Sequence, residues 1–393
     1  MEIPLSQRVR RIKPSPTLAV TARAAELKAQ GIDVMSLGAG EPDFDTPAHI
    51  KEAAHQAIRD GFTKYTAVGG TPSLKKAIVA KMKRDNALDY SPNQVLVSNG
   101  GKQACYNLCQ ALLNDGDESI IPAPYWVSYP DMVLLAGGTP VVLPTTAATR
   151  FKITPEPLER AITPRTRLFW INSPSNPSGM AYTHAELKAL GEVLRRHPQV
   201  VIATDDMYEK ILWSAEPFAN LVNLCPDLYE RTVVIHAVSK TYSMTGWRIG
   251  WACGPARLIT AMADIQSQST SNPNSIAQVA AEAALTGDQA CVAEMCKAFK
   301  GRHDRLVAGL NAIPGVKCEP GDGTFYAFPS FEGLMKQLGC KDDLALADVL
   351  LQKARVAVVP GSAFGAPGYL RLSFATSDKV LAESVARIRA LAG

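Results

Sequence analysis

Lys240 lies at the end of an apolar run, residues 232–238, from which only Ser239 separates it, in a segment rich in hydroxyl groups. A lysine amine forms Schiff bases with aldehydes, and burial or nearby cations lower its pKa so that the neutral nucleophile is available. Arg248 follows eight positions later and suits a phosphate on the same ligand. The pattern indicates covalent capture of a phosphorylated aldehyde, and the alternative is a surface lysine after a strand.

A carboxylate and two hydrogen-bonding side chains also follow β-like runs. Asp205 comes after residues 200–204, and a carboxylate beside a bound pyridine keeps the ring nitrogen protonated, which makes the ring an electron sink. Tyr208 and Asn176 are suited to hydrogen-bond an oxygen of the same ring. The alternatives are a helix N-cap for Asp205 and a simple turn for Asn176, because asparagine before proline is common in turns.

Two further features suit anionic groups. Gly100 and Gly101 allow close backbone approach where a helix begins, and free N–H groups at a helix start attract phosphate. The sequence around them is neither a Walker A motif nor a GxGxxG fingerprint, which argues against ATP and NAD. Arg371 lies in a segment of alternating apolar residues, 369–374. Its guanidinium is suited to bind a carboxylate through two hydrogen bonds. The alternative is a strand arginine that faces solvent.

These residues require a sheet that brings distant segments together. Seven β-like runs, most of them apolar throughout, alternate with helical patterns at 103–113, 129–136 and 184–197, which predicts an α/β fold with a mostly parallel, doubly wound sheet. The polar clusters follow the strands, and ligands bind beyond the carboxyl ends of strands in such sheets. The runs are 94–98, 118–122, 139–143, 168–172, 200–204, 233–237 and 249–253.

A second, smaller α/β unit is predicted after one long helix, residues 275–311. The N-terminal segment is expected to join it, with a helix over 18–30 that is capped near Ser15 and stopped by Gly31, leading into residues 34–37. We expect a large domain over 47–285 and a small domain formed by 1–46 and 286–393. The tail elements are strands at 315–319, 324–328, 356–359 and 369–374, and helices at 344–353 and 380–391.

Composition narrows the class of protein. The 393 residues are 47% hydrophobic and 20% charged with a net charge of +4, which is ordinary for a globular protein. The densest basic cluster is too short and too poor in aromatic residues to suggest nucleic acid, and no apolar stretch suggests a membrane span. The eight cysteines form no CxxC pair and no HExxH occurs, so we expect no metal and a cytoplasmic location. That basic cluster is Arg8, Arg10, Arg11 and Lys13.

Over essentially its whole length the chain resembles the fold-type I pyridoxal-phosphate aminotransferases of class I/II, and within them the bacterial aspartate and aspartate/prephenate group. Two departures from the usual family pattern are Asp206-Met207 before Tyr208 and Ser178 in the Asn-Pro-x-Gly stretch. Neither changes a group with a chemical role. The matching stretches are 38–44, 64–65, 100–104, 124–130, 176–179, 205–208, 239–240, 244–248 and Arg371.

The resemblance implies a role for each matching residue. Lys240 is the Schiff-base lysine and general base, and Asp205 pairs with the pyridinium nitrogen. The implied cofactor contacts are Asn176 and Tyr208 at the ring oxygen, Trp126 on the ring face, Gly101, Lys102 (through its backbone N–H), Ser239 and Arg248 at the phosphate, and Tyr65 at the phosphate of the partner subunit's cofactor. The implied substrate contacts are Gly40 and Arg371 at the α-carboxylate, Lys102 at a distal carboxylate, and Trp126 and Asn176.

The implied reaction is a ping-pong transamination between an amino acid and a 2-oxo acid, with aspartate and 2-oxoglutarate expected and prephenate as a possible acceptor. A homodimer with shared active sites is implied, acting on small molecules only. The alternatives are a C–S β-lyase on the same fold and an aminotransferase of aromatic or neutral amino acids. A transcription regulator with an aminotransferase-like domain is not expected, because about 35 residues precede Gly38.

Overall fold

The computed structural model describes residues 3–14 and 16–393 of the chain. The described strands are β1 Met35–Ser36, β2 Val95–Ser98, β3 Glu118–Ala123, β4 Thr139–Pro144, β5 Thr166–Asn172, β6 Val201–Asp205, β7 Thr232–Ala237, β8 Gly250–Cys253, β9 Tyr326–Ala327, β10 Val356–Ala357, β11 Val359–Pro360 and β12 Leu370–Ser373.

The α-helices are α1 Gln7–Arg11, α2 Pro16–Ala29, α3 Ala48–Arg59, α4 Pro72–Asn86, α5 Gly101–Leu112, α6 Ser128–Leu135, α7 Pro155–Ala161, α8 His184–Arg195, α9 Leu221–Leu224, α10 Val238–Thr241, α11 Ala256–Ser267, α12 Ser275–Thr286, α13 Ala290–Asn311, α14 Glu332–Gln337, α15 Asp343–Val349 and α16 Asp378–Ala392. Short 3₁₀ segments lie at Pro92–Gln94, Ala147–Thr149, Pro226–Arg231, Thr245–Trp247 and Gly361–Phe364, and a π-helical turn lies at Leu350–Ala354.

The main sheet has seven strands in the order β2-β8-β7-β6-β5-β3-β4. All neighbouring pairs are parallel except those of β8, which is antiparallel to both β2 and β7. The seven predicted β-like runs coincide with these strands to within two residues. The prediction of a mostly parallel α/β sheet is therefore confirmed.

The strands are apolar because helices cover both faces of the sheet. Every residue of β7 and β8 is buried, whereas β4 at the edge of the sheet is partly exposed. One face packs against α5, α6 and α11, and the opposite face packs against α3, α4 and α12. Burial on both faces removes the alternation that a half-exposed strand shows.

The second unit is built on a small antiparallel sheet, β11-β12-β9, and on the parallel pair β1-β10. Met35 pairs with Val356, so the N-terminal segment joins the C-terminal part of the chain. The core of this unit includes Phe299 and Leu306 from α13 together with Leu372 from β12. The domain division at residues 46–47 and 285–286 stays a prediction.

Two sequence predictions in this region are wrong. The single helix over 275–311 is broken into α12 and α13 because Gly287 ends α12 in an extended conformation. Residues 315–319 form no strand, and only Lys317 makes an isolated bridge to Ser330. Gly315 has a φ of +80°, which interrupts an extended run. The predicted cap at Ser15 lies outside the described residues, and the helix that follows it spans Pro16–Ala29.

Within residues 3–14 and 16–393, no helix is long and apolar enough to cross a membrane. The same part of the chain contains no group of three or more His, Cys, Asp or Glu side chains placed to hold a metal ion.

Candidate active site

A cavity of about 450 Å³ lies where the carboxyl ends of the parallel strands of the main sheet meet the sheet that contains β9 and β12. The cavity brings together every predicted site residue except Tyr65. Those lining residues are Gly40, Gly101, Lys102, Trp126, Asn176, Asp205, Tyr208, Ser239, Lys240, Arg248 and Arg371.

Lys240 projects from α10, the single helical turn that follows the buried strand β7. Its Nζ donates a hydrogen bond to the carbonyl oxygen of Gly40. Burial lowers the pKa of the Lys240 amine to about 8, Glu41 opposes this effect, and the positive charges of Arg371 and Arg248 add to it. A useful fraction of neutral amine is therefore present near neutral pH, as a nucleophile or base requires.

Asp205 ends β6, the strand next to β7, and its side chain is buried. Its Oδ2 accepts a hydrogen bond of 2.5 Å from the hydroxyl of Tyr129, and its Oδ1 accepts one of 3.3 Å from the backbone N–H of Met207. Burial raises the pKa of Asp205 to about 6, against the opposing effects of these two donors and of the charge on Lys240. The described chain gives this carboxylate no ion-pair partner, so it is suited to a cationic ligand.

The turn before α5 forms a cradle of glycines. Gly100 has a φ of +83°, and a Cβ at this position would collide with the guanidinium of Arg248. A Cβ on Gly101 would collide with Met207, and one on Gly250 would collide with the backbone of Gly101. The left-handed φ at Gly100 and the backbone contact at Gly250 favour glycine at these two positions. Gly101 and Lys102, the first residues of α5, line the cavity, and the free N–H groups at a helix start favour an anion there.

Arg248 lies beside this cradle. Its guanidinium donates to the carbonyl oxygens of Asn99 at 3.1 Å and Thr245 at 3.0 Å, and it forms no ion pair with a carboxylate among the described residues. The backbone of Arg248 is left-handed, with a φ of +57°, a conformation uncommon for residues other than glycine. Because both acceptors are uncharged, they do not neutralise the guanidinium, which remains available to bind a phosphate.

Arg371 reaches the opposite side of the cavity from β12 and is 2% exposed. Its Nη1 donates to Oδ1 of Asn176 at 3.0 Å, and its Nη2 donates to the carbonyl oxygen of Gly38 at 2.8 Å. Its Nε has no hydrogen-bond partner within the described chain. A buried guanidinium with neutral partners and a free donor is suited to bind a carboxylate.

Lys102 is the second residue of α5, and its Nζ lies 5.1 Å from the ring centroid of Trp126. Burial lowers the pKa of the Lys102 amine, and the charge of Arg248 lowers it further. Trp126 in turn packs edge-on against Tyr129, with ring centroids 5.3 Å apart. The wall of the cavity thus combines an aromatic face with a cation at the end of a helix.

Tyr65 is the predicted site residue that the cavity does not include. Its side chain is 93% exposed, and it lies in the loop after α3. The chain by itself does not bring Tyr65 to the other predicted residues.

Sequence reasoning missed several residues of the site. Tyr129 and Tyr326 are buried, and their hydroxyl groups contact other residues of the site. No sequence pattern distinguishes them from ordinary tyrosines of a hydrophobic core. A wall of the cavity contributed by α2 was also not foreseen, because this helix is distant in sequence from the other lining segments. The residues that α2 contributes are Thr17, Leu18 and Thr21.

A buried ion pair lies beside the site, and the sequence analysis did not predict it. Nζ of Lys81 lies 2.5 Å from Oε1 of Glu209, both side chains are 2% exposed, and Nε2 of His236 lies 3.2 Å from the same oxygen. Burial alone would raise the pKa of Glu209, but Lys81 and His236 together lower it well below its usual value. Glu209 lies four residues after Asp205 in the turn that follows β6, and His236 lies near the end of β7, so the cluster joins the ends of these two strands.

The model of the family described as aminotransferase class I and II matches residues 32–388. The chain is 60% identical over 393 residues to the aspartate/prephenate aminotransferase of Nitrosomonas europaea, covering 98% of this chain and 99% of that protein. It is 52% identical over 384 residues to the aspartate aminotransferase of Geobacillus stearothermophilus, with 98% of each chain covered.

Solved structures are similar over the same length. The crystal structure of the aspartate aminotransferase from Rhizobium meliloti superposes with a TM-score of 0.96 at 48% identity, covering 100% of this chain and 99% of that one. The structure of aspartate aminotransferase from Thermus thermophilus with maleate has a TM-score of 0.94 at 43% identity, covering 99% and 100%.

Proposed function

The chain belongs to the class I and II aminotransferases, and on this premise we propose that it transfers an amino group between aspartate and 2-oxoglutarate with pyridoxal 5'-phosphate as its cofactor. The observation that carries the proposal is the single cavity that Lys240, Asp205 and Arg371 all line. The names of the relatives, aspartate and aspartate/prephenate aminotransferase, support the choice of aspartate. These names do not favour a C–S β-lyase or an aminotransferase of aromatic or neutral amino acids.

The described residues fit pyridoxal phosphate by their chemistry. Asp205 is a buried carboxylate without an ion-pair partner and would hold the protonated ring nitrogen, and Lys240 would hold the aldehyde carbon through Nζ. The further contacts that we propose are Trp126 on the ring face, Asn176 and Tyr208 at the ring oxygen, and Gly101, Lys102, Ser239 and Arg248 at the phosphate.

When bound, pyridoxal phosphate supplies an aldehyde that captures the substrate amine and a ring that accepts the electron pair left by the departing α-proton. Lys240 Nζ would receive this proton from the substrate α-carbon as general base and would deliver it to the former aldehyde carbon. Arg371 and Asn176 orient the α-carboxylate, with the backbone of Gly40 beside it. Asp205, whose carboxylate lines the same cavity, would keep the ring nitrogen protonated when it is ionised. Each step is thereby assigned to a group that lines one cavity.

We propose that the active form is a homodimer in which Tyr65 completes the partner's site. The high exposure of Tyr65 supports this proposal, as do the exposed apolar side chains of Ile58 at 54% and Phe62 at 40%, which lie shortly before it in sequence. Exposed apolar groups of this kind are typical of interfaces between subunits.

We also propose prephenate as a second amino acceptor. The names of relatives at 60% and 56% identity, both aspartate/prephenate aminotransferases, support it. Replacing 2-oxoglutarate by prephenate in the assay described next tests this acceptor.

Lys240→Ala is expected to abolish turnover, because the chain loses both the amine that holds the cofactor and the base that moves the proton. With aspartate and 2-oxoglutarate, the wild type should form oxaloacetate and glutamate, and the variant should be slower by roughly 10³-fold or more. Lys188→Ala, which removes an exposed lysine on α8, is the control and should retain wild-type activity. Near-normal turnover of Lys240→Ala without added amines would contradict the assignment.

The affinity of the cofactor-free protein for pyridoxal phosphate is expected to fall as the pH decreases through about 6, the pKa of Asp205. Below this pH the carboxyl is protonated and cannot pair with the ring N–H, whereas above it the carboxylate is available. Dissociation constants measured by absorbance between about pH 5 and 8 check the direction. The Asp205→Asn variant should bind pyridoxal phosphate weakly at every pH in this range, and its affinity should no longer fall as the pH decreases through about 6. If the variant keeps the wild-type pH dependence, Asp205 is not the responsible group.

Lys102 is expected to recognise the distal carboxylate of aspartate. Loss of a charge-assisted hydrogen bond of about 1.5–3 kcal/mol predicts that Lys102→Ala lowers kcat/KM for aspartate roughly 10- to 100-fold, with little change for alanine, which has no distal carboxylate. Lys102→Arg keeps the charge and should retain part of the preference. An aspartate-to-alanine ratio that is unchanged in Lys102→Ala would remove Lys102 from specificity.

A further inference from the structure

Tyr326 lies between the residues proposed to hold the substrate carboxylate and those proposed to hold the cofactor ring. It is on β9, its side chain is 1% exposed, and it lines the cavity. β9 pairs with β12, and Tyr326 is opposite Ser373 in the antiparallel register. This pairing places the Tyr326 ring beside Arg371.

The ring of Tyr326 packs on the guanidinium of Arg371. Cζ of Arg371 lies 4.4 Å from the ring centroid, which is closer than the 5.1 Å to the ring of Phe364. A cation is attracted to the face of an aromatic ring. Because the ring carries no net charge, this contact orients the guanidinium without neutralising it. An aspartate or glutamate in the same place would hold Arg371 equally well but would compete with the substrate carboxylate.

The hydroxyl of Tyr326 contacts the other half of the site. Its oxygen lies 3.1 Å from the hydroxyl oxygen of Tyr208. Two hydroxyls that share one hydrogen bond must divide the roles of donor and acceptor. If Tyr208 donates its proton to the ring oxygen of the cofactor, Tyr326 must be the donor between the two tyrosines. A donor chain of this kind strengthens the terminal hydrogen bond.

The position of the hydroxyl is restricted by the backbone of the N-terminal segment. A Cβ on Gly40 would lie 3.2 Å from the Tyr326 hydroxyl oxygen, so the tyrosine packs directly against this glycine. The carbonyl oxygen of the same glycine accepts the hydrogen bond from Lys240. Tyr326 therefore touches three groups to which the proposed reaction assigns a role: Arg371, Tyr208 and Gly40.

We propose that Tyr326 is a positioning residue with two separable parts: its ring sets Arg371 for the substrate carboxylate, and its hydroxyl sets Tyr208 for the ring oxygen of the cofactor. The inference rests on the proposed function, since it assigns a residue to that same site. It also explains why a buried strand carries a tyrosine where phenylalanine would fill the same space.

Tyr326→Phe and Tyr326→Leu separate the two parts. Tyr326→Phe keeps the ring, so KM for aspartate should stay within about twofold of wild type. The pH midpoint at which the visible absorbance of the bound cofactor titrates should rise by about half a pH unit. The reason is that the ionised ring oxygen of the cofactor loses hydrogen-bond support. Tyr326→Leu loses both parts and should show the same spectral shift together with a KM roughly tenfold higher.

Phe364→Leu is the matched control, because it removes an aromatic neighbour of Arg371 that has no hydroxyl. It should raise KM without moving the absorbance titration. If Tyr326→Leu does not fold, Tyr326→Phe still decides, since a titration midpoint within about 0.1 pH unit of wild type overturns the role of the hydroxyl. If kcat and thermal stability fall together and KM rises in both Tyr326 variants, the residue is merely structural, and this outcome also overturns the inference.

The wild-type protein separates this test from that of the proposed function. If the wild type binds no pyridoxal phosphate or transfers no amino group, the proposed function fails and the role of Tyr326 fails with it. If the wild type is active and the Tyr326 variants match it in both measurements, the inference fails and the proposed function stands.

Discussion

The burial of charged groups without oppositely charged partners is the constraint on which this site depends. Asp205 and Arg371 are both buried, and neither forms an ion pair within residues 3–14 and 16–393. Burying a charge is unfavourable unless something compensates for it. Lys81 and Glu209, buried nearby, compensate each other at 2.5 Å. This contrast indicates that the charges of Asp205 and Arg371 are neutralised by a bound ligand that carries both a cationic and an anionic group.

The topology of the two sheets explains how these charges meet. Asp205 is the last residue of β6 and Lys240 follows β7; the two strands are adjacent and parallel, so both residues lie at one edge of the main sheet. Arg371 and Tyr326 come from the small antiparallel sheet of the second unit. The group proposed to bind the carboxylate, Arg371, and the group proposed to transfer the proton, Lys240, therefore belong to different parts of the fold. A substrate that binds both must lie between them.

The sequence predicted most of the main sheet and most of the cavity, because fully buried strands are continuous apolar runs and polar clusters follow directly after them. It did not predict the break at Gly287, since one glycine in a long helical pattern is compatible with an uninterrupted helix. It missed Tyr129, Tyr326 and the Lys81–Glu209 pair for a common reason. The roles of these side chains arise from contacts between distant segments, and no local spacing reports such contacts.

The most direct test of the central claim is to locate the lysine that holds the cofactor. The protein is loaded with pyridoxal phosphate, reduced with borohydride, digested and analysed by mass spectrometry. The account predicts a phosphopyridoxyl group on the peptide that contains Lys240 and on no other lysine in stoichiometric amount. Stoichiometric label on a different lysine, or none on the Lys240 peptide, would contradict it.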